Sequence, residues 1–479
     1  MAEKFAPSAI ILTHAHEDHV GALPYLYKLI PEKTPLFLSS FTAELVKNKL
    51  KDHGFSLDKF QVRIIDENMI FQHGDFQVQI FFMPHSIPQA FSVGLTLKKP
   101  DLKIFYTGDF KTKGAEKEFK ENDLKKFGPV DMLFCDSTGA LFTGYSENEL
   151  NIIKNLEKTI KEWEGRVFVT TFSSHIQRIK ALFQIAEKTG RQIGILGYSM
   201  KNHLKAAFES DNFDIPPEKI KNPSVKNEKV LWLIAGCQAE DGSSLNKLST
   251  KEIERFNINE NDLIIYSASM IPGNEESIYE ALNEFSEKGA YIKGLSGEKL
   301  HASGHGRQED ILNLFQMLSP KNVIPIHGDP LHFYAFRDLI NQSRKKISLH
   351  IVKTGGIYEL EKEVNEVLSV NSSLYFVENG EIHSDIVLYH RRRELSKDGI
   401  CNLVIDKKDY NLKNLNYVGC ISEEMYHNKV ENLKIEISFQ LEIIAKLETD
   451  KKEKRIKEKV YKINKLLLKK APFVNILWV

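Results

Sequence analysis

The first residues that could do chemistry stand near the start of the chain, in the run Thr13-His14-Ala15-His16-Glu17-Asp18-His19. A hydrolytic site with two metal ions needs neutral imidazoles, carboxylates and open coordination positions for water. His14, His16, Asp18 and His19 offer four such ligands within six residues, and few purely structural roles require this spacing. The run therefore predicts a metal-dependent hydrolase.

The elements predicted around this run place its ligands in two pairs. Residues 9–12 are apolar and predict a strand, and the alternation of an extended chain puts His14 and His16 on one side. Asp18 and His19 stand near the start of a predicted helix, whose buried stripe is formed by apolar residues at 23, 26, 27 and 30. We expect the first pair to bind one metal ion and the second pair to face another.

Three further ligand candidates each follow a predicted strand, where a loop can bend towards the same cleft. They are His85 in MPHSIP, Asp109 in YTGDF and His327 in PIHGD. Taken singly, each is explained as well by an ordinary hydrogen-bonded loop as by a metal site. Because all three residues follow predicted strands, we expect them to lie near the histidine-rich run at 13–19.

The order of predicted elements indicates an α/β protein with several domains. Residues 1–140 form the β-rich first part of one domain, with strands at 9–12, 36–38, 62–65, 76–82, 93–97, 104–106 and 132–135. Helices and strands alternate over 141–295, which predicts an inserted α/β domain. Residues 296–360 return to the first domain, and 361–479 form a small domain with a charged helical stretch at 429–470.

The composition is that of an ordinary globular protein, with 42% hydrophobic and 27% charged residues among 479. No apolar run approaches the roughly 18 residues of a membrane span, and the first residues do not resemble a secretory signal. We therefore expect a cytoplasmic protein without a membrane helix. The cysteines at 135, 237, 401 and 420 form no Cys-x-x-Cys pair, so we expect buried thiols.

The charge balance bears on nucleic-acid binding. Lys plus Arg and Asp plus Glu both number 65, so any contact with nucleic acid must be local. The segment 451–470 has ten basic residues against Glu453 and Glu458, yet Ile456, Val460 and later apolar residues follow helical spacing. We favour a packed helix with a solvated basic face over a phosphate-binding segment.

Several motifs resemble a known family. The run at 13–19, HSIP at 85–88 and TGDFK at 107–111 resemble motifs of the metallo-β-lactamase fold. Asp136-Ser137-Thr138, His305 and His327 are similar to motifs A, B and C of the β-CASP nuclease branch. Within that branch, FVTTFSSHIQR, SASMIPGNE and HASGH resemble the ribonuclease J family, over residues 9 to about 355 and more loosely through LYHRRRELSKDGI.

The resemblance implies a fold and a ligand set. The fold would be an αββα sandwich with an inserted β-CASP domain and a small C-terminal α/β domain. His14, His16 and His85 would ligate one zinc ion, Asp18, His19 and His327 a second, and Asp109 would bridge them, with Mn²⁺ or Mg²⁺ as alternative activators. Two metals about 3.5–4 Å apart can hold a bridging hydroxide, the expected nucleophile.

Phosphodiester hydrolysis also needs a proton donor for the departing oxygen. His305 is the candidate, although it could instead form a hydrogen bond within its glycine-rich turn. Asp136 is expected to orient a ligand histidine. The groups that hold the RNA 5′-monophosphate in this family resemble His301, Ser303, Ser173, Ser174 and Arg178. Such a pocket favours 5′-to-3′ removal of nucleotides, with internal cleavage as a second mode. Helix capping is the alternative role for Ser173 and Ser174.

Some features depart from the family pattern. Relatives place several strands before the histidine-rich run, so one sheet edge is expected to be exposed or filled by a partner. Gln89 stands where an acid is common, and His175 where asparagine is. A catalytically weak RNA-binding or assembly subunit, and a small-molecule metallo-hydrolase, therefore remain alternative functions. RNA, a homodimer or homotetramer formed through the C-terminal domain, and other RNA-decay proteins are the expected partners.

Overall fold

The computed structural model forms two compact units, Met1–Leu368 and Ser369–Val479. It describes residues 6–113, 120–216, 220, 222–225, 227–253, 256–295, 297–343, 346–360, 364–369, 376–378, 381–383, 395, 399–419, 423–447, 452–468 and 472–479. Within these residues, no helix combines the length and the apolar character that crossing a bilayer requires.

A three-stranded parallel sheet begins the first unit. Its order is β1 (Ile10–Leu12), β2 (Pro35–Leu38), β3 (Gln61–Ile64). Helices α1 (Glu17–Val20), α2 (Leu23–Leu26) and α3 (Ser40–Asp52) follow β1 and β2 in the chain. Helix α3 begins at Ser39, whose hydroxyl accepts a hydrogen bond from the Thr42 amide and so satisfies a free amide of the first turn.

A seven-stranded mixed sheet forms the second layer. In spatial order its strands are β15 (Ser348–Leu349), β14 (Asn322–Ile326), β8 (Met132–Asp136), β7 (Asp101–Tyr106), β6 (Phe91–Lys98), β5 (Phe76–Phe82) and β4 (Ile70–His73). Strands β7, β8 and β14 are parallel neighbours, and β5 and β7 are both antiparallel to β6. The carboxyl ends of β5, β7, β8 and β14 therefore lie at one edge of the sheet.

The two sheets pack face to face. Phe37 and Ile65 of the first sheet region are buried against Val78, Ile80 and Val93 of the second. Helices α4 (Glu121–Phe127), α10 (Gln308–Leu318) and α11 (Pro330–Gln342) cover the outer face of the larger sheet. Apolar residues of α1 to α3 cover the outer face of the smaller one, which completes four αββα layers.

The inserted domain is a five-stranded parallel sheet covered by helices on both faces. Its order is β10 (Gln192–Leu196), β11 (Val230–Ile234), β9 (Val167–Thr170), β12 (Leu263–Tyr266), β13 (Tyr291–Lys293). Helices α5 (Glu149–Lys161), α6 (Ile176–Lys188) and α7 (Tyr198–Glu209) cover one face, and α8 (Ser244–Ser249) and α9 (Glu275–Glu287) the other. Every residue of β9, β11 and β12 is buried, as expected of a parallel sheet with both faces covered.

The first unit ends in the paired strands β16 (Gly356–Leu360) and β17 (Val364–Ser369), the last residue of which begins the second unit. The second unit has a hairpin of β18 (Phe376–Glu378) and β19 (Glu381–His383) and a sheet of β21 (Leu412–Val418), β20 (Ile400–Ile405) and β22 (Phe473–Trp478). Helices α12 (Glu423–Ala445) and α13 (Lys452–Leu467) share its core, and Ile456 and Val460 of α13 are buried. The packed basic helix was thus the right interpretation of this segment.

The structure corrects several local predictions. The helix expected after Asp18 is interrupted: α1 and α2 are one turn each, a 3₁₀ turn follows over Tyr27–Leu29, and Leu26 is exposed. The helical stretch predicted at 429–470 is formed by α12 and α13, which begin at Glu423 and end at Leu467. Strand β4 and helix α3 had not been predicted, and the prediction of buried thiols is confirmed for Cys135, Cys237 and Cys401; Cys420 lies outside the described residues.

Candidate metal centre

The predicted ligands reach one place because the strands that precede them end at one edge. Tyr106 pairs with Phe134, and Asp136 pairs with Ile326, so β7, β8 and β14 end side by side. Asp109, Asp136 and His327 therefore stand on neighbouring loops or strand ends. His14 follows β1 of the facing sheet, and the backbone of Thr13 accepts a hydrogen bond from the Phe91 amide of the larger sheet.

The first group of ligand side chains consists of His14, His16, His85 and Asp109. Nδ1 of His16 lies 3.1 Å from Nε2 of His14 and 3.0 Å from Nε2 of His85. Both Nε2 atoms lie 3.6 Å from Oδ2 of Asp109. Ligand atoms around a tetrahedral zinc ion are roughly 3.3 Å apart, given bonds of about 2.0–2.1 Å, so the four atoms fit one ion.

The second group consists of Asp18, His19, Asp109 and His327. Oδ2 of Asp18 lies 3.0 Å from Nε2 of His327 and 3.5 Å from Nε2 of His19. Oδ2 of Asp109 lies 3.3 Å from Nε2 of His19 and 3.8 Å from Nε2 of His327. The same Asp109 oxygen thus faces both groups, which is the position a bridging carboxylate occupies.

The protonation of the histidines in the first group suits metal binding. Burial lowers the pKa of His16 to about 3 and holds the pKa values of His14 and His85 well below their usual range, so the imidazoles are neutral. Neutral imidazole is the form that binds zinc. Nε2 of His19 is buried and has no hydrogen-bond partner within the part of the chain described. A cation between the groups would satisfy it, so the residues fit a pair of metal ions.

Hydrogen bonds on the far side of the rings aim the ligand nitrogens. Nδ1 of His85 donates to the Gly304 carbonyl at 2.8 Å, which leaves the Nε2 lone pair facing the first group. A Cβ on Gly304 would lie 2.6 Å from the His85 ring, so this approach requires glycine. Nε2 of His16 lies 3.1 Å from the Ser174 hydroxyl of the inserted domain, which leaves Nδ1 free to ligate.

His305 lies beside both groups and is paired with Asp136. Its Nδ1 donates to Oδ2 of Asp136 at 2.8 Å, and its Nε2 lies 3.9 Å from Oδ2 of Asp109. Burial alone would lower the pKa of His305, but the charge and hydrogen bond of Asp136 outweigh it, and the pKa is raised. The ring is therefore not held within its own glycine-rich turn, and it can carry a proton that points into the site.

Asp136 also orients His327, through Thr138. The Thr138 hydroxyl lies 2.7 Å from both Oδ1 of Asp136 and Nδ1 of His327, so Nε2 of His327 faces Asp18. The carboxylates of Asp136 and Asp18 raise the pKa of His327 to about 11. His327 has a φ of 54°, a left-handed conformation that residues with a side chain adopt only uncommonly.

Ser173 and Ser174, two of the residues predicted to hold a terminal phosphate, follow β9 at the carboxyl edge of the inserted sheet. Thr170 pairs with Tyr266, so the loops after β9 and β12 start together. Ser173 on the first loop contacts Ser199 at 3.1 Å. Ser303 accepts a hydrogen bond from the His305 amide. Neither Ser173 nor Ser174 caps α6, because the side chain of His175 does so, and the capping alternative is therefore wrong.

Arg178 does not stand open to a ligand. Its side chain is fully buried, with Nε and Nη2 each 2.7 Å from an oxygen of Glu149. Nη1 donates to Nδ1 of His301 at 2.8 Å, so Nε2 of His301 carries the proton and donates to the Ser269 hydroxyl. This corrects the direct phosphate contact expected of Arg178, because its donors are already used; it holds His301 in place.

The two departures from the family pattern have structural roles. Oε1 of Gln89 accepts hydrogen bonds from the Ser40 hydroxyl and the Phe41 amide, which ties the loop after His85 to the start of α3. His175 is buried, which lowers its pKa to about 4, and its Nδ1 accepts from the Arg178 amide. Neither residue is in a group of ligand atoms among the described residues.

Sequence reasoning missed four residues around the site: Lys111, Thr138, Glu149 and Ser269. Lys111 is buried and donates to the Ser303 carbonyl at 3.2 Å, close to His305. Lys111, Thr138 and Ser269 stand in motifs that were recognised, TGDFK, Asp136-Ser137-Thr138 and SASMIPGNE, but only the ligand types in them were assigned. Glu149 carries no such signal, since an acid in the first turn of a helix is common.

Three protein families match the chain in order. "Beta-lactamase superfamily domain" matches residues 3–148, "Ribonuclease J, beta-CASP domain" matches 164–285, and "Zn-dependent metallo-hydrolase RNA specificity domain" matches 297–352. In fold, a crystal structure of a protein of unknown function from Enterococcus faecalis V583 is similar at a TM-score of 0.50 and 16% identity, covering 72% of this chain and 79% of that one.

Curated ribonucleases J are similar over most of the chain. The protein of Thermus thermophilus is 33% identical over 82% of this chain and 71% of its own length. The protein of Mycolicibacterium smegmatis is 33% identical over 68% of this chain and 59% of its own length. The protein of Corynebacterium glutamicum is 28% identical over 84% of this chain and 57% of its own length. On this identity and the order of its three matched domains, the chain belongs to the ribonuclease J family.

Proposed function

We propose that this chain hydrolyses RNA phosphodiester bonds with two zinc ions, with Mn²⁺ or Mg²⁺ as alternative activators. The observation that carries the proposal is the sharing of one Asp109 oxygen by two groups of ligand atoms, with His305 beside both. When bound, the metal pair supplies Lewis acidity that activates water near neutral pH and offsets charge on the phosphoryl oxygens. One ion would be held by His14, His16 and His85. The other would be held by Asp18, His19 and His327, and Asp109 would contact both ions.

The remaining residues of the site handle the proton and the geometry. His305, protonated on Nε2 while Asp136 accepts from Nδ1, is placed to donate a proton to the departing sugar oxygen. Asp136 keeps that ring oriented and charged, and through Thr138 it also orients His327. Gly304 and Ser174 hold His85 and His16 in the tautomers that present a lone pair to the site.

RNA is the substrate that the comparisons support, because the relatives are named ribonuclease J and the matched third domain is described as an RNA specificity domain. We further propose that Ser173, Ser174, His301 and Ser303 receive a 5′-monophosphate. Arg178 would hold the His301 ring in place, and Nε2 of His301 would turn its hydrogen bond from the Ser269 hydroxyl to the phosphate. A pocket for the terminal phosphate would fix the first scissile bond and lead to stepwise 5′-to-3′ removal, with internal cleavage when the end is not engaged.

The second unit offers a surface for self-association. Ile435, Phe439 and Ile443 stand four residues apart on α12, so they form one stripe, and their side chains are 65%, 57% and 44% exposed. Helix α12 buries a different set of apolar residues in the unit's own core. We propose that this stripe joins copies of the chain in a homodimer or homotetramer.

The test of the activity compares one RNA sequence with a 5′-monophosphate, a 5′-triphosphate and a 5′-hydroxyl, using purified zinc-loaded protein. We expect fastest hydrolysis of the monophosphate, with mononucleotides released in order from the 5′ end. Equal rates on all three would contradict the pocket but leave the hydrolase in place. Asp109→Asn should lose both activity and bound zinc, and His53→Asn, on an exposed helix end, is the matched control.

An unchanged rate in Asp109→Asn would overturn the two-metal proposal. If the wild-type chain bound RNA and hydrolysed none of the three, with less than one zinc per chain, it would be an RNA-binding subunit. Hydrolysis of small esters without RNA cleavage would instead indicate a small-molecule hydrolase.

A further inference from the structure

Two exposed aromatic rings follow Thr138 in the chain, each with a cation near it. Phe142 is 56% exposed and Tyr145 is 42% exposed. Nζ of Lys113 lies 3.8 Å from the centre of the Tyr145 ring, and Cζ of Arg307 lies 5.8 Å from the centre of the Phe142 ring. We call these four residues the aromatic rim.

The rim is close to the catalytic groups along three segments of chain. Arg307 is two residues after His305, and Lys113 and Phe142 are each four residues after Asp109 and Thr138. Two residues span at most about 7 Å and four about 14 Å, even when fully extended. The backbones of Lys113, Phe142 and Arg307 therefore lie within about 14 Å of Asp109, Thr138 and His305, a distance that a strand of a few nucleotides spans.

One buried carboxylate fixes all three segments. Asp310, which is fully buried, accepts hydrogen bonds from the amides of Thr112 at 3.1 Å, Ser146 at 2.7 Å and Arg307 at 2.9 Å. Thr112 and Ser146 are the neighbours of Lys113 and Tyr145. Asp310 thus holds the rim residues together as a built surface on the rigid start of α10.

Backbone contacts fix the rim against the loop that carries His305. Amides at the start of α10, of Gln308 and Glu309, donate to the carbonyls of Phe142 and Gly144 at 3.1 and 3.0 Å. The chains approach so closely that a Cβ on Gly139 would lie 1.9 Å from the Gly306 carbonyl oxygen. The rings are therefore exposed on a scaffold that is already ordered.

We propose that the aromatic rim stacks unpaired bases of the RNA strand beside the scissile phosphate, while Lys113 and Arg307 contact the neighbouring phosphates. This rests on the proposed function, since it names how that site holds its substrate. Base stacking on aromatic side chains contributes about 1–3 kcal/mol per base and accepts any base. The rim would give the enzyme affinity for single strands without sequence preference.

The chemistry of the rim favours single-stranded RNA over a protein partner or an RNA duplex. An apolar protein contact would have to desolvate both cations, whereas the phosphates of a strand pair with them. In a duplex the bases are stacked on one another and their faces are not available. A single strand offers base faces and phosphates together.

The experiment measures binding of a fluorescent eight-nucleotide RNA by anisotropy, in an Asp109→Asn background that prevents turnover. Phe142→Leu and Tyr145→Leu keep an apolar side chain but remove the ring, and each should weaken binding by roughly 5- to 140-fold, which corresponds to about 1–3 kcal/mol. Tyr279→Leu, an aromatic of 48% exposure on α9, should leave affinity unchanged. Thermal unfolding of all three variants checks that they are folded.

A second probe separates stacking from charge. An RNA of the same length with abasic sites should bind the parent more weakly, and it should lose no further affinity in the Leu variants. If the Leu variants and the parent bound intact RNA with equal affinity, base stacking on the aromatic rim would be wrong, and the proposed function would be unaffected. Failure of the parent chain, with and without Asp109→Asn, to bind RNA at all would overturn both.

Discussion

Nδ1 of His305 donates to Oδ2 of Asp136 at 2.8 Å, and the opposite nitrogen of the ring faces the metal centre. This pairing raises the pKa of His305 against the effect of burial. We propose the protonated ring as the proton donor, so activity should fall as pH rises through that pKa. We therefore expect His305 to set the high-pH limb of the rate profile.

Removing the Asp136 charge should move that limb. In Asp136→Asn the pKa of His305 loses its upward shift, so the fall in kcat should occur at lower pH than in the wild-type enzyme. His305→Ala should lower kcat by about 10²- to 10⁴-fold and abolish the limb, with bound zinc retained. An alanine variant with an unchanged pH profile would remove His305 from the mechanism.

Ser174→Ala should weaken metal binding although Ser174 is not a ligand. Its hydroxyl faces Nε2 of His16 at 3.1 Å, and loss of such a partner typically lowers metal affinity by about 10- to 100-fold. Competition with a chromogenic zinc chelator measures this. Ser173→Ala is the matched control, because its hydroxyl contacts Ser199 instead, and equal zinc affinity in both variants would contradict the assignment.

Arg178→Ala should destabilise the chain by about 3–5 kcal/mol, because it leaves the Glu149 carboxylate buried without its partner. Urea unfolding measures the loss of stability. Lys180→Ala is the matched control, since Lys180 is a cation on the same helix whose side chain is partly exposed and pairs with the exposed Asp214. A loss no larger than that of Lys180→Ala would contradict the buried pair.

The same pair predicts how stability depends on pH. The pKa of Glu149 is held well below its usual range, where His175 and Arg178 outweigh the effect of burial. The stabilisation is therefore complete above the ordinary glutamate pKa of about 4.3 and is lost as pH falls below it. Glu149→Gln should flatten this part of the stability profile, and an unchanged acid slope would contradict it.

Phe439→Glu should weaken self-association of the chain. The ring is 57% exposed in the middle of the stripe on α12, and a charge there would have to be buried in any contact between copies. Light scattering after gel filtration measures the mass, and Glu436→Gln on the same helix is the control. A monomeric wild-type chain would remove the proposed assembly surface.

Periodicity and motif order were sufficient for much of the fold. Strand β5 has the predicted bounds, 76–82, because an alternating or continuous apolar run is a local signal. The region after His19 was mispredicted because its apolar spacing resembles a helix. The break between α1 and α2 falls after Gly21 and just before Pro24, which has no amide to continue the first helix, and Leu26 beyond it is exposed.

The sequence by itself determined the ligand types and their order along the chain, since the residue types and their spacing identify the imidazole and carboxylate groups directly. Only the tertiary structure decided which atoms meet, because that depends on parallel strands ending at one edge and on distant partners. His16 and Ser174 are 158 residues apart, and Arg178 was expected at a phosphate until Glu149 was found against it. Such contacts are set by the packing of the inserted domain, which no local pattern encodes.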